Sequence, residues 1–141
     1  MAGVADMTVT AIQIGLDPDV IDYFSPDFAH FPGLSEEKLR AANDDNVAAL
    51  RAAGYHVDNC LIDFGEAGAD KARQWPEAKQ YDAVLIGAGV RLVASNTLLF
   101  ESAVNTAHTT LPGCRFVFNR AATATPNDIR RWYLDPKAVA R

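Results

Sequence analysis

The chain has 141 residues, 49% of them hydrophobic and 22% charged, which is the size and mix of one folded domain and not of a disordered tail. Its formal net charge is -5, and no basic run of five or more residues offsets it, so nucleic acid and anionic membrane surfaces are excluded as natural partners.

The opening MAGVADM lacks a cationic region followed by a long apolar stretch, so it does not read as a signal peptide. Met7 fits as a natural start, and residues 1–7 are expected to be a flexible extension of a single domain spanning 1–141. TVTAIQIG (Thr8 to Gly15) is rich in β-branched residues and stops at glycine, which predicts the first strand. GLDPDVIDYFSPDFAHFPGLSEEK follows, from Gly15 to Lys38, where a compact α/β chain normally spends only a few residues. It carries Tyr23, Phe24, Phe28, His30 and Phe31 together with Asp17, Asp19, Asp22 and Asp27. A long loop of this kind, when ordered, is expected to be a lid or a binding loop, or to bury its rings against a second subunit. Asp17-Pro18 and Pro26-Asp27 read as turn chemistry, with Mg²⁺ ligation by the aspartates as the less favoured reading.

Ser35 is a good N-cap, Glu36 and Glu37 suit the positive helix end, and Leu39, Ala42, Val47 and Leu50 mark an apolar face that ends at Gly54. HVDNCLID (His56 to Asp63) alternates as a half-exposed edge strand does. A second helix is predicted from about Ala67 to Trp75, stopped by Pro76. DAVLIG (Asp82 to Gly87) and RFVFN (Arg115 to Asn119) are apolar without alternation, as parallel strands covered on both faces are. Between them a third helix spans roughly Asn96 to Thr109, with Leu99, Phe100, Ala103, Val104 and Ala107 on one stripe. A fourth starts with Thr125 as cap and Pro126 at the first helical position, and buries Ile129 and Trp132.

Strands alternating with helices imply a parallel sheet with right-handed crossovers. The expected fold is a three-layer α/β/α domain, flavodoxin-like or Rossmann-like. Its four strands should run in the order 2-1-3-4, because the third is the most apolar and the second the most alternating. The switch point then falls between strands one and three, and GLDP (Gly15 to Pro18) and GAGVR (Gly87 to Arg91) become the segments that build a site.

YDAVLIGAGVR followed by LLFESAVN, then His108 and FN, with GLDPDVIDY and FPGLSEEK upstream, resembles a family of small, uncharacterised bacterial α/β proteins with the same GLDP, IGAGVR and LLFE order. The resemblance covers most of the chain. It implies the fold and the choice of segments, and brings no chemistry with it.

The chemistry must therefore come from the residues. Gly87 and Gly89 after an apolar strand look like the start of a dinucleotide fingerprint, but Leu92 replaces the third glycine and Asn119 ends the next strand where an acidic residue would grip a ribose. No cofactor is expected. What remains is Arg91 beside those amides, suited to a carboxylate or phosphate, or equally to a structural pair. CRFVFNR has the C-x5-R spacing of cysteine phosphatases, yet its middle reads as a buried strand whose amides are committed to the sheet. Receiver-domain phosphorelay fails because Gly87 and Asn119 stand where the phosphoacceptor and lysine belong, and a flavin phosphate loop is absent after the first strand.

His30, His56 and His108 lie on separate elements without HxxxH or CxxC spacing, so no metal site is expected. Cys60 and Cys114 sit in or beside apolar runs as reduced cysteines do, which fits a cytoplasmic location. Glu101, Asn105 and His108, spaced i, i+4 and i+7, share one flank of the third helix and form a secondary candidate site, with solvated surface or a subunit contact as the alternative.

Two functions follow from these residues. In the first, a small anionic metabolite is held by Asp17, Gly87, Gly89, Arg91 and Asn119 under a lid of Tyr23, Phe24, Phe28 and Phe31, with or without catalysis. In the second, the loop and the third helix, with Leu98 on its polar side, make a non-catalytic homodimer or other assembly.

Overall fold

The structure is a computed structural model describing residues 8–29 and 31–136. The expected flexible start and His30 lie outside the described residues.

Four strands, β1 (Thr10–Leu16), β2 (His56–Ile62), β3 (Ala83–Ile86) and β4 (Arg115–Phe118), form one all-parallel sheet in the order β2-β1-β3-β4. β1 is central, with Ile14 opposite Cys60 on one side and Ile86 on the other. The order follows from side-chain demand. β3 is buried at every position and needs cover on both faces, whereas β2 exposes His56 and leaves Asp58, Asn59 and Leu61 half-buried, as an edge strand can.

Among the described residues α1 (Glu36–Ala52), α2 (Gly65–Ala78), α3 (Ala88–Arg91) and α4 (Thr97–Thr110) lie between the strands, and α5 (Thr125–Asp128) follows β4. Ile12, Ile14 and Leu16 of β1 point to one face and pack with Ala72 of α2 and Leu99, Ala103 and Ala107 of α4. Ala11 points the other way, where Leu85 and Val117 meet Val47 and Leu50 of α1 and Ile129 beyond α5. This is the expected three-layer α/β/α arrangement, the period-2 alternation of β1 distributing its side chains between two cores.

α1 begins as its sequence predicts, the Ser35 hydroxyl accepting from the Lys38 N–H at 3.2 Å. It ends before Gly54, whose φ of 102° only glycine adopts readily, with the Tyr55 N–H reaching back to the Leu50 carbonyl.

Other boundaries differ from expectation. Pro76 lies inside α2, which continues to Ala78; the Pro76 ring is buried, and the tertiary packing holds a last turn that intrinsic preference disfavours. Ala124, not Thr125, caps α5, and Thr125 is its first residue. Trp132 is 52% exposed, because the chain leaves the helical path after a 3-10 turn at Ile129–Arg131 and only Ile129 reaches the core. AGVR, after its cap Gly87, forms a one-turn helix, α3.

The long opening loop is built from two 3-10 turns, Pro18–Val20 and Pro26–Phe28, capped by the side chains of Asp17 and Ser25. Its aspartates each have a local partner. Asp17 accepts from the Asp19 N–H, Asp22 from the Phe24 N–H, and Asp27 from the Ser95 hydroxyl, while Asp19 meets the Arg40 guanidinium at 2.7 Å. The Asp17 and Asp22 contacts are the turn-forming kind that Asx residues supply, while those of Asp27 and Asp19 tie the loop to the segment before α4 and to α1.

Candidate functional site

At the carboxyl ends of β1 and β3, where the strand order reverses, a cavity of about 350 Å³ opens. Its floor is made by Gly15, Leu16, Gly87 and the first turn of α3. Ile21, Phe28 and Phe31 of the opening loop close one side, Leu34 before α1 with Leu39 and Asn43 on it another, and Asn119, Arg120, Ala121 and Ala122 after β4 the third. The volume and the mainly apolar lining are those of a small-molecule site, at the place where open α/β sheets bind ligands.

Glycine makes the room. A side chain added at Gly15 would meet nothing within 4 Å, so this strand position borders open space. At Gly89 an added Cβ would come within 3.3 Å of Leu16 Cδ1, so glycine there allows α3 to sit tightly on the end of β1.

Of the loop residues expected to form a lid, Phe28 and Phe31 line the cavity and pair with ring centroids 6.2 Å apart. Tyr23 and Phe24 do not. Tyr23 is half-buried and donates to the Pro18 carbonyl at 2.7 Å, and burial pushes its phenol above the ordinary value. Phe24 is 97% exposed, since the turn capped by Asp22 points it outward.

Among the expected ligand-binding residues, Gly87, Gly89 and Asn119 reach the cavity. Asp17 and Arg91 are not on its lining. The Asp17 carboxylate is turned back on its own 3-10 turn, with Arg40 at 3.8 Å. Arg91 is directed along the ends of β3 and β4. Its Nη1 donates to the Ile86 carbonyl at 2.6 Å and to Asn119 Oδ1 at 3.1 Å, its Nη2 donates to the Asn119 carbonyl at 2.7 Å, and the guanidinium stacks over Phe118 at 5.1 Å. Burial pulls Arg91 below its ordinary pKa. The secondary candidates Glu101, Asn105 and His108 share the solvent-exposed side of α4 and are not brought to the cavity.

Several site residues escape sequence reasoning. Arg120 is the cation on the cavity lining, its side chain 74% exposed at the rim. It is held by Asp128, a fully buried carboxylate that accepts from the Arg120 N–H at 2.8 Å, from Arg120 Nε at 2.7 Å and from Arg131 Nη1 at 2.6 Å. Burial pushes the Asp128 carboxyl up, but these N–H groups and positive charges outweigh it and hold the carboxyl below its ordinary value. Asn46 fastens the same wall from α1 through a hydrogen bond from its Nδ2 to the Ala122 carbonyl.

Beneath the cavity, between β1, α1 and α5, lies a second chamber of about 30 Å³. Gln13, Asn43, Asn46, Asn119 and Thr125 line it, and Gly15, Asn43, Gly87 and Asn119 border both spaces. Gln13 is 6% exposed; its Nε2 donates to Asn59 Oδ1 at 3.3 Å, while its Oε1 has no hydrogen-bond partner among the described residues. The readable signal for this chamber was a glutamine in the central, otherwise apolar strand TAIQIGL, an informative anomaly of the buried-polar kind.

Among the described residues no group of three or more histidine, cysteine, aspartate or glutamate side chains is gathered to hold a metal, and no helix is long and apolar enough to cross a membrane. No family model, curated protein or solved structure matches the chain.

Proposed function

We propose that this domain binds a small anionic metabolite at the carboxyl ends of β1 and β3, under the Phe28 and Phe31 side of the opening loop. The observation that carries the reading is the 350 Å³ cavity at the strand-order switch, with a mostly apolar wall and a few converging polar groups. An apolar ligand body lies against Leu16, Ile21, Phe28 and Phe31, and its acidic group meets Arg120 at the rim. Arg120 replaces Arg91 in this role because Arg91 spends its donors on strand-end carbonyls and Asn119. The chemistry proposed is binding, and any catalysis would draw on polar groups around Asn43 and Asn119. The free thiols of Cys60 and Cys114 support the cytoplasmic location.

A second reading, a homodimer or accessory assembly, draws on Phe24, 97% exposed, and on Leu98 and Leu92, 76% and 56% exposed. The Ser95–Asp27 hydrogen bond joins the segments that carry them, which supports the opening loop and the start of α4 as parts of one interface.

Native mass spectrometry of protein purified from its own cells tests both. A retained small acid that is lost from Phe28→Ala supports the binding reading. A dimer mass that reverts to monomer in Leu98→Glu, with no small molecule retained, favours the assembly.

A further inference from the structure

We infer that the chamber below the cavity is a subsite for a neutral amide-type head group of the bound metabolite, with Gln13 as its specificity-determining residue. The inference rests on the cavity being a ligand site and adds what the inner end of that ligand must be. The two spaces are continuous in their walls, since Gly15, Asn43, Gly87 and Asn119 border both. At about 30 Å³ the chamber has room for roughly two water-sized groups, the size of a carboxamide end.

The hydrogen-bonding character follows from what each side chain has left. Gln13 Oε1 is an acceptor, buried and without a donor among the described residues. Asn46 spends one Nδ2 N–H on the Ala122 carbonyl and keeps its acceptor Oδ1 and a second N–H. Asn119 Oδ1 is taken by Arg91, so the atom it has left for the site is the donor Nδ2. Thr125 adds a hydroxyl that can donate or accept, on a residue 3% exposed.

Together with the Asn43 amide, which also lines the chamber, these acceptors and donors complement a group that carries both N–H donors and a carbonyl acceptor. A carboxylate is acceptor-only, so here it would face Gln13 Oε1 and Asn46 Oδ1 with no proton to offer. Among the described residues no side-chain cation lines the chamber to offset its charge. Burying an ionised group without a partner costs far more than burying an amide that finds its bonds. The acidic group of the ligand therefore stays at the Arg120 rim, and the inner end is neutral.

The test is a titration of the isotope-labelled full-length chain, followed by backbone amide shifts, with toluene, benzoate and benzamide as probes. The expected result is that all three bind the cavity and that benzamide alone also shifts Gln13 and Thr125. Gln13→Leu should weaken benzamide about five- to tenfold, the usual effect of losing one buried hydrogen bond, and leave toluene and benzoate unchanged. Thr125→Val, on a different element and close in shape, should give the same selective loss, and it decides the matter if Gln13→Leu does not fold. Toluene and benzoate binding with no selective effect of either variant on benzamide would overturn the subsite and leave the cavity reading standing. Binding of none of the three probes would overturn both.

Discussion

Asp128 carries the wall of the candidate site, and replacing it with asparagine gives a measurable quantity. The carboxylate is fully buried and receives three hydrogen bonds, from the Arg120 N–H, Arg120 Nε and Arg131 Nη1. An asparagine keeps the shape and can still accept the backbone bond through Oδ1, so the loss falls on the two bonds to guanidinium groups. Breaking a buried ion pair commonly costs about 3–5 kcal/mol because a buried charge is stranded. Here the stranded partners are the Arg120 and Arg131 side chains, 74% and 42% exposed, which water re-solvates, so the cost is nearer ~2 kcal/mol. For 141 residues the unfolding entropy scale turns ~2 kcal/mol into a Tm drop of about 7 °C at neutral pH.

The dependence on pH has a definite sign. The Asp128 carboxyl is held below its ordinary value of 3.8, so its contribution is fully present above that pH and is lost as the pH falls through the lower folded-state value. Thermal denaturation followed by circular dichroism should therefore show the gap between wild type and Asp128→Asn constant from about pH 5 to 7 and narrowing in stronger acid. A Tm within about 2 °C of wild type at pH 7, or a gap that does not narrow in acid, refutes the assignment of Asp128 as an ionised latch.

Arg91→Ala should cost about 2 kcal/mol in urea denaturation, since three hydrogen bonds and the stack on Phe118 tie the ends of β3 and β4 together, while toluene binding in the cavity stays unchanged. Abolished binding at unchanged stability would return Arg91 to the role of ligand residue. Gly15→Val should fold normally, because its strand backbone suits a β-branched residue and its Cβ meets nothing within 4 Å, yet it should block probe binding by occupying the border of both spaces; amide shifts on probe addition check this, and undiminished binding contradicts the placement of the site. Burial pushes the Cys60 thiol up to about 11, so a thiol reagent at pH 8 should modify Cys60 only as fast as the domain unfolds, a rate that urea accelerates; immediate labelling in native buffer contradicts its burial in the β2 core.

The fold was legible because each strand announces its neighbours through burial. AVLI in β3 tolerates no exposed face and TAIQIGL almost none, which puts them inside and leaves HVDNCLI for one edge, whereas RFVF, which reads as covered on both faces, takes the other edge with Arg115 and Phe118 exposed. The switch point, and with it Gly15, Gly87, Gly89 and Asn119, followed from that order alone. Phe28 was legible for the same reason: an aromatic on a long loop beside the switch point has an apolar surface to find, and the turn capped by Ser25 turns it inward.

What remained hidden depended on contacts between elements distant in sequence. Arg91 reads from the sequence equally as a ligand cation, because a fixed charge beside glycine amides suits an anion, and as a structural pair. Its guanidinium is satisfied by Ile86 and Asn119, and the Arg91–Asn119 contacts bridge 28 positions in sequence, which spacing rules do not reach. Arg120 reads from the sequence only as the last residue of a coincidental C-x5-R spacing beyond the strand, and its bond to Asp128 is what holds it at the rim.

Gln13 is the instructive case. Charge and glycine patterns draw the eye to GAGVR, whereas an uncharged amide within TAIQIGL looks like an imperfection in a strand. Once β1 is central, the same residue faces α1 and α5 beside Asn46 and Thr125, and its unpaired carbonyl oxygen becomes costly unless something donates to it. A neutral polar residue in a central strand therefore carries more functional information than the exposed arginines and aspartates around it, because burial removes the solvent alternatives that make surface charge uninformative.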